Sequence, residues 1–126
     1  MTAIPRLANV VLDAAHVGQL SSFWAELLGG SVDSVDDQWH NVRVPGMPVI
    51  SIQHAPRHVP PRWPDGPPQQ VHLDFEVDDI AFAHEHAVKV GATVLSPADG
   101  PDASRGSGFQ VYADPAGHPF CLCWGP

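Results

Sequence analysis

The sequence predicts an α+β protein built from two tandem modules, each with the element order β-α-β-β-β. Three observations predict this fold. The segments Ala8–Asp13 and Val71–Glu76 both read as a strand that runs into a helix, both helices close on a glycine turn, and short β-type segments follow each of them. Because the same order of elements occurs twice, the repeat decides the architecture.

The opening strands alternate in polarity. In the first copy Asn9 alternates with apolar neighbours, and in the second copy His72, Asp74 and Glu76 alternate with Leu73 and its apolar successors. Successive side chains of a strand point to opposite faces of a sheet. One face of each strand is therefore expected to pack, and the other to face a polar environment.

The two helices are indicated by apolar residues that recur with helical spacing. In the first copy they recur at i, i+3, i+4, i+7 and i+8 over Leu20–Leu28, and the glycine pair that starts at Gly29 ends the helix. In the second copy an apolar stripe covers Ile80–Val90 after an acidic entry and ends at Gly91.

The β-type segments after each helix complete the two modules. They cover roughly 31–35, 39–44 and 49–54 in the first half, and 93–96, 109–113 and 119–124 in the second. The turns Pro45–Pro48 and Asp114–Gly117 join the last two segments of each set, because proline and glycine favour turn geometry.

The length of 126 residues suits a single compact domain. We expect module one at 5–55, a connector at 56–68 and module two at 69–126. The connector holds six of the 14 prolines, which favour extended geometry and make it semi-rigid. Trp63 in the connector either covers a module edge or closes over a pocket.

Composition excludes several classes of function. The formal net charge of −8 argues against nucleic acid as a partner, because phosphates need basic side chains around them. No apolar run approaches the roughly 20 residues of a membrane span, and the N-terminal segment lacks the pattern of a secretory signal. We therefore expect a cytoplasmic protein, with Cys121 and Cys123 as free thiols because they lie only two positions apart on a strand.

Four motifs, in this order, resemble the vicinal oxygen chelate superfamily, which includes glyoxalases, bleomycin-resistance proteins and extradiol dioxygenases. They are the helix end Phe23–Gly29, the opening His72–Asp74, the turn Gly91–Val94, and Asp114–Gly117 before the last strand. The resemblance covers nearly the whole chain and is closest to small glyoxalase-like proteins. It implies two curved mixed sheets around a shared small-molecule cavity, and a homodimer.

The resemblance also implies where a metal would bind. In the metal-dependent members four ligands come from the first and last strand of each module, and these positions fall here on Asn9, Ser51, His72 and Cys121. Asn9 and His72 both lie seven residues before the residue that opens the following helix, which supports the match. Alternation along the last segment agrees, since it puts Cys121 on the polar face and leaves Trp124 for the helix side. Only His72 is a typical ligand, so the usual site for a hard divalent ion is expected to be lost.

An unusual metal site is an alternative. His72 with Asp74, and Cys121 with Cys123, supply donors that suit tetrahedral zinc, although pairs on two flat strands describe a square rather than a tetrahedron. The other interpretation makes both cysteines small apolar residues of a pocket wall. The expected cofactor is therefore none, or alternatively one divalent ion such as zinc with His72 and Cys121 among its ligands.

Further candidates line the predicted cavity. His72 either serves packing alone or lines the pocket as a general base or substrate donor, which makes it the candidate catalytic residue. His84 and His86 are expected on a solvated helix face. Aromatic and cationic contacts to a ligand are expected from Trp39, Arg105, Phe109 and Tyr112.

These observations favour a protein that binds a small organic molecule without the superfamily's usual metal site. The polar part of the expected site consists of Asn9, Ser51, Asp74, Cys121 and Cys123 together with His72. The alternative is a metal-dependent lyase, isomerase or dioxygenase with a non-standard ligand set. A third possibility is an interaction module whose cavity is filled by its own side chains.

Overall fold

The computed structural model describes residues 3–126 and confirms two tandem β-α-β-β-β modules. The elements of the first module are β1 (Asn9–Ala14), α1 (Val17–Leu28), β2 (Ser31–Asp36), β3 (Trp39–Arg43) and β4 (Val49–His54). Those of the second are β5 (Leu73–Glu76), α2 (Ile80–Val90), β6 (Thr93–Ser96), β7 (Gly108–Ala113) and β8 (Pro119–Trp124). Neither helix combines the length and apolar character that a membrane crossing requires.

The chain divides into two compact units, the first ending at His58 and the second covering Val59–Pro126. Each unit contains one four-stranded sheet. The strand order is β1-β4-β3-β2 in the first and β5-β8-β7-β6 in the second, and in each sheet the opening strand pairs in parallel with the last strand while the other pairs are antiparallel. The first and last strand of each module are therefore neighbours.

The opening strands begin slightly later than expected. β1 starts at Asn9, and β5 starts at Leu73, so that His72 precedes its strand instead of opening it. The parallel register pairs Leu73 with Phe120, and the preceding residue of β8 is Pro119. Because proline has no N–H to donate, the ladder gains nothing from extending toward His72.

Helix α1 packs against one face of the first sheet, where it contacts β2, β3 and β4. The buried apolar side chains of this layer are Leu20, Phe23, Trp24, Val42, Ile50 and Ile52. A polar contact also joins helix and sheet, since the Ser21 hydroxyl lies 2.8 Å from His40 Nδ1. The helix ends at Gly29, whose φ of 68° is the left-handed geometry that glycine adopts most readily.

Helix α2 packs against the second sheet through aromatic side chains. Tyr112 and Phe120 are fully buried and stack with their ring centres 5.3 Å apart. His84 of α2 places its Nδ1 2.8 Å from the Tyr112 hydroxyl. The expectation that His84 lies on a solvated face is therefore wrong, because its ring provides the hydrogen bond that a buried phenol needs.

Candidate functional site

In the first module three of the expected site residues lie on the sheet face opposite α1. Asn9 Nδ2 donates to Ser51 Oγ at 2.8 Å, Ser51 Oγ donates to Asn41 Oδ1 at 2.7 Å, and the indole nitrogen of Trp39 donates to the same oxygen at 2.9 Å. This chain of hydrogen bonds crosses β1, β4 and β3. It joins Asn9, Trp39 and Ser51 through Asn41, a residue that the sequence analysis did not single out.

The direction of these hydrogen bonds is determined by donor chemistry. An indole N–H can only donate, so the Asn41 side chain must turn its oxygen toward Trp39. That oxygen can only accept, so the Ser51 hydroxyl gives its proton to it, and the lone pairs of Ser51 remain for the Asn9 amide. The two first-module positions of the family's usual metal site thus satisfy each other.

This arrangement does not fit a hard divalent cation. Such an ion binds oxygen donors, preferably carboxylates, whereas Asn9 presents its nitrogen to Ser51 and the Ser51 hydroxyl is already engaged. Ser51 is fully buried and Asn41 is 9% exposed. The first module therefore contributes a neutral polar surface, with no group suited to such an ion at its two expected positions.

In the second module three of the expected site residues form a cluster. His72 Nε2 lies 3.3 Å from Asp74 Oδ1, and one donor atom each from His72, Asp74 and Cys121 all lie within 4.8 Å of one another. The side chains of His72 and Asp74 are 45% and 59% exposed, whereas Cys121 is buried. Cross-strand pairing of Asp74 with Cys121 explains this proximity.

The cluster lies on the face of the second sheet that α2 does not cover. Tyr112 faces α2 and pairs across the strands with Phe120, so the next residues along, Val111 and Cys121, point to the opposite face. We call this the helix-free face of the second sheet. The alternation read from the sequence predicted this orientation for Cys121.

Both thiols resist ionisation. Burial raises the pKa of Cys121 to about 12, and the negative charge of Asp74 and its hydrogen bond with the thiol add to the effect. Burial also raises the pKa of Cys123, followed by the charges of Asp74 and Glu76. Because the thiolate is the reactive form of cysteine, the raised pKa values favour the unreactive thiol form of both residues. Cys123 does not belong to the three-residue cluster.

A cleft of about 520 Å³ opens in the second module beside the loop between β6 and β7. Its lining residues are Ser96, Pro97, Asp99, Gly100, Pro101, Asp102, Arg105, Ser107, Gly108, Phe109 and Trp124. Phe109 is 63% exposed, and it pairs across the strands with Cys123, which places it on the helix-free face. Arg105 and Phe109, both predicted from the sequence, thus lie in one cleft.

The loop that carries Arg105 is held by local hydrogen bonds. Asp102 Oδ1 accepts from the backbone N–H and the hydroxyl of Ser104 at 3.0 and 2.6 Å, and these bonds lower the pKa of Asp102. The indole nitrogen of Trp124 donates to the Arg105 carbonyl at 3.0 Å. Trp124 pairs with Gly108, an even number of residues from Tyr112 along β7, so the register keeps Trp124 on the side of the sheet that the sequence assigned to it.

Tyr112, a predicted ligand contact, lies on the opposite face of the second sheet from Phe109. It is fully buried against α2, bonded to His84 and stacked on Phe120. Phe109 and Tyr112 are three residues apart on β7, so a strand must point them to opposite faces. Tyr112 therefore supports the core, and Phe109 alone of the two faces the cleft.

The fold and the two polar faces define a two-module α+β protein of the kind found among glyoxalase-like proteins. A family model described as the glyoxalase-like domain matches residues 9–123. The chain belongs to this family and, with it, to the vicinal oxygen chelate superfamily. No curated protein matches the chain.

Solved structures share the fold at low sequence identity. A glyoxalase/bleomycin resistance protein/dioxygenase family enzyme from Burkholderia phytofirmans is 15% identical, with a TM-score of 0.74 over 97% of this chain and 100% of that one. A glyoxalase-related enzyme from Fulvimarina pelagi is 20% identical, with a TM-score of 0.69 over 98% and 90% of the two chains. A glyoxalase/dioxygenase from Nostoc punctiforme is 17% identical, with a TM-score of 0.69 over 96% and 91%.

Proposed function

We propose that this protein binds a small organic molecule in the cleft of its second module, without the superfamily's usual metal site. The observation that carries the proposal is the cleft of about 520 Å³ that contains Arg105, Phe109 and Trp124. Pockets for small organic ligands have volumes of roughly 300–1,000 Å³ and combine aromatic walls with few polar anchors. The cleft matches both properties.

The cleft residues indicate the class of ligand. The exposed ring of Phe109 and the indole of Trp124 offer apolar surfaces to a planar body. The guanidinium of Arg105 is a planar donor that suits a carboxylate or carbonyl oxygen. A planar aromatic carboxylate is therefore the ligand class that uses all three side chains.

Two probes test this assignment. 2-Naphthoate presents an aromatic body and a carboxylate, whereas 2-naphthalenemethanol presents nearly the same body without charge. Isothermal titration with both should show that Arg105→Ala weakens naphthoate binding about tenfold, equivalent to about 1.4 kcal/mol, and changes binding of the neutral probe less than twofold. Phe109→Ala should weaken both probes, because it removes a surface that both require.

Matched substitutions serve as controls. Phe82→Ala removes a phenylalanine that is also exposed, at 74%, and lies on α2 outside the cleft, and Arg57→Ala removes an exposed arginine of the first unit. Both should bind the two probes like the unmodified protein. Equal losses in Phe109→Ala and Phe82→Ala, or no binding of either probe, would contradict the proposal.

A second candidate function, a metal-dependent lyase, isomerase or dioxygenase reaction, is supported by a separate observation. His72, Asp74 and Cys121 bring three potential ligand atoms together, and His72 is exposed enough to exchange protons with a substrate. Metal analysis of protein purified without chelator tests this candidate. One ion per chain that is lost in His72→Ala would support it, and metal-free protein would oppose it.

The shared cavity, the homodimer and the cytoplasmic location stay predictions. Size-exclusion chromatography with light scattering, at concentrations spanning two orders of magnitude, tests the homodimer directly. A single monomeric mass at every concentration would contradict it.

A further inference from the structure

We propose that Ser34 is a base-activated nucleophile that takes the acyl group of neutral aryl esters, with His40 as its general base and Ser21 as the residue that orients the imidazole. The observation that carries this inference is a continuous chain of hydrogen bonds that joins the two serines through the histidine. All three residues lie in the first unit and outside the cleft, so the inference does not rest on small-molecule binding there.

The imidazole of His40 lies between two serine hydroxyls. Its Nδ1 atom lies 2.8 Å from Ser21 Oγ, and its Nε2 atom lies 3.1 Å from Ser34 Oγ. Ser34 of β2 pairs across the strands with His40 of β3, and Ser21 belongs to α1, which packs against these strands. The nucleophile, the base and the group behind the base are therefore all within hydrogen-bond reach.

Donor chemistry determines which nitrogen of His40 carries the proton. Ser21 Oγ lies 3.2 Å from the backbone carbonyl oxygen of Gly18, which can only accept, so Ser21 donates its single proton there. The contact with His40 then requires that Nδ1–H donate to Ser21 Oγ. A neutral imidazole protonated at Nδ1 has its lone pair on Nε2, which accepts from the Ser34 hydroxyl. Ser34 is thus bonded to the basic nitrogen.

The nucleophile is accessible while its support is held in place. Ser34 is exposed, His40 is half-buried, and Ser21 is only 1% exposed. A β-bulge follows Ser34 directly, between Ser34 and Asp36. Bulges of this kind re-aim side chains and are frequent beside active sites. A reagent can therefore reach the Ser34 hydroxyl, and the protein interior fixes the base behind it.

The surroundings of Ser34 indicate the class of substrate. Strand β2 forms one edge of the first sheet, and an edge strand directs part of its backbone N–H groups away from the sheet. Backbone N–H groups are typical donors to the oxyanion that forms when a carbonyl group is attacked. The neighbours Asp33, Asp36 and Asp37 are acidic, and of these Asp33 is paired with Arg43. This charge disfavours anionic substrates and favours a neutral ester.

The reaction is acyl transfer in two steps. In the first, Ser34 Oγ bonds to the ester carbonyl carbon and gives its proton to His40 Nε2. The bond from that carbon to the aryl oxygen breaks, and the aryl oxide leaves with this proton as a phenol. In the second, water gives a proton to Nε2 and bonds to the carbonyl carbon, and Ser34 Oγ leaves with that proton. Because Ser21 is neutral, it stabilises the imidazolium less than a carboxylate would, so turnover is expected to be slow.

A neutral fluorophosphonate tests the nucleophile, because it forms an O–P bond with an activated serine and loses its fluorine as HF. Peptide mass spectrometry should find one phosphonyl group per chain, at Ser34. Ser34→Ala should abolish this labelling and the release of 4-nitrophenol from 4-nitrophenyl acetate at the site. Ser31→Ala, which alters another exposed serine of β2, should retain both. Phe109→Ala should also retain both, which separates failure of this proposal from failure of the cleft.

The role of the base is tested by substitution and by pH. His40→Ala should slow the labelling of Ser34 at least about 100-fold, the usual contribution of a general base. His16→Ala, at an exposed histidine, should not. In the unmodified protein the labelling rate should fall from pH 8 to pH 5, because a protonated imidazole cannot accept the Ser34 proton. This fall should be absent from His40→Ala.

Ser21→Ala tests the positioning role. It should slow labelling about tenfold and shift His40 from the Nδ1–H tautomer toward the Nε2–H tautomer, which the ¹⁵N chemical shifts of the imidazole report. A packing contact alone would not couple the tautomer to the labelling rate. Circular dichroism verifies the fold of this variant, and the exposed positions Ser31 and Ser34 keep the test valid if it unfolds.

Four results would overturn the proposal. They are no labelling of the unmodified protein, equal labelling of Ser31 and Ser34, an unchanged labelling rate in His40→Ala, and an Nε2–H tautomer of His40 in the unmodified protein.

Discussion

The Ser51 hydroxyl donates to the side-chain oxygen of Asn41 across neighbouring strands, with 2.7 Å between the two oxygen atoms. Ser51 stands where the superfamily resemblance implies a metal ligand, and it has no exposed surface. Its hydrogen bonds to Asn41 and Asn9 provide the partners that a buried hydroxyl needs. The first module therefore replaces a metal-binding position with a network of neutral groups.

The first prediction concerns the stability that this network provides. Ser51→Ala removes one hydrogen bond that the hydroxyl donates and one that it accepts. We expect the free energy of unfolding to fall by about 1–2 kcal/mol in urea titrations. Ser22→Ala, at an exposed position of α1, is the control and should leave stability unchanged or slightly raised, because alanine favours helices. Equal stability of the two variants would contradict the prediction.

The second prediction concerns the turn between β7 and β8. The Asp114 side chain has no exposed surface. Its Oδ1 atom accepts hydrogen bonds from the backbone N–H groups of Ala116 and His118, both at 2.9 Å. Its Oδ2 atom lies 2.8 Å from His118 Nδ1. Asp114→Ala should lower the free energy of unfolding by about 3 kcal/mol, because it leaves these donors without their acceptor. Asp65→Ala, at an exposed aspartate, should change it by less than about 0.5 kcal/mol.

The helices and strands of this fold could be predicted from the sequence because their signals come from residues that are close together in the chain. Apolar residues at helical spacing, followed by a glycine, located both helices. The residues seven positions after Asn9 and His72 are His16 and Asp79, and these are the N-cap residues of α1 and α2. The start of β5 was predicted too early. Pairing with a strand that begins at Pro119 depends on a partner distant in sequence.

The candidate sites were predicted only in part, since they depend on neighbours across strands. Alternation placed Cys121 on the face opposite α2, but only the register shows that it lies beside Asp74. Asn41 was missed because its partner Ser51 lies ten residues away, on the adjacent strand. Tyr112 was grouped with Phe109 by residue type, although their three-residue separation on a strand places them on opposite faces.

The third prediction concerns the wall of the cleft. A Cβ atom at Gly108 would lie 2.8 Å from two ring carbons of Trp124, whose indole nitrogen is bonded to the Arg105 carbonyl. Gly108→Ala should therefore displace the indole, shift its N–H resonance in ¹⁵N-¹H NMR spectra and weaken 2-naphthoate binding several-fold. Gly106→Ala is a matched control, because a Cβ atom there meets nothing within 4 Å. An unshifted indole resonance in Gly108→Ala would show that this contact does not position Trp124.

The fourth prediction concerns alkaline pH. Burial raises the pKa of Tyr112 above its ordinary value of 10.0, so above that pH the unfolded chain releases a proton that the folded protein retains. The folded state then binds more protons than the unfolded state, and stability must fall as pH rises above about 10 toward the raised folded value. Because Tyr112 is the only tyrosine, tyrosinate absorbance reports it alone and should appear at higher pH in the native protein than in urea.

Tyr112→Phe tests the same linkage through stability. At pH 8 the variant should be less stable by about 1 kcal/mol, because the hydrogen bond to His84 is lost. This difference should shrink as pH rises above 10, since only the unmodified protein carries the ionising phenol. Urea titrations of both proteins at pH 8 and at pH 10.5 measure this difference in the free energy of unfolding. Two results would show that burial against α2 does not suppress ionisation of this phenol. One is a stability difference that is the same at pH 8 and pH 10.5, and the other is tyrosinate absorbance that appears at the same pH in the native protein and in urea.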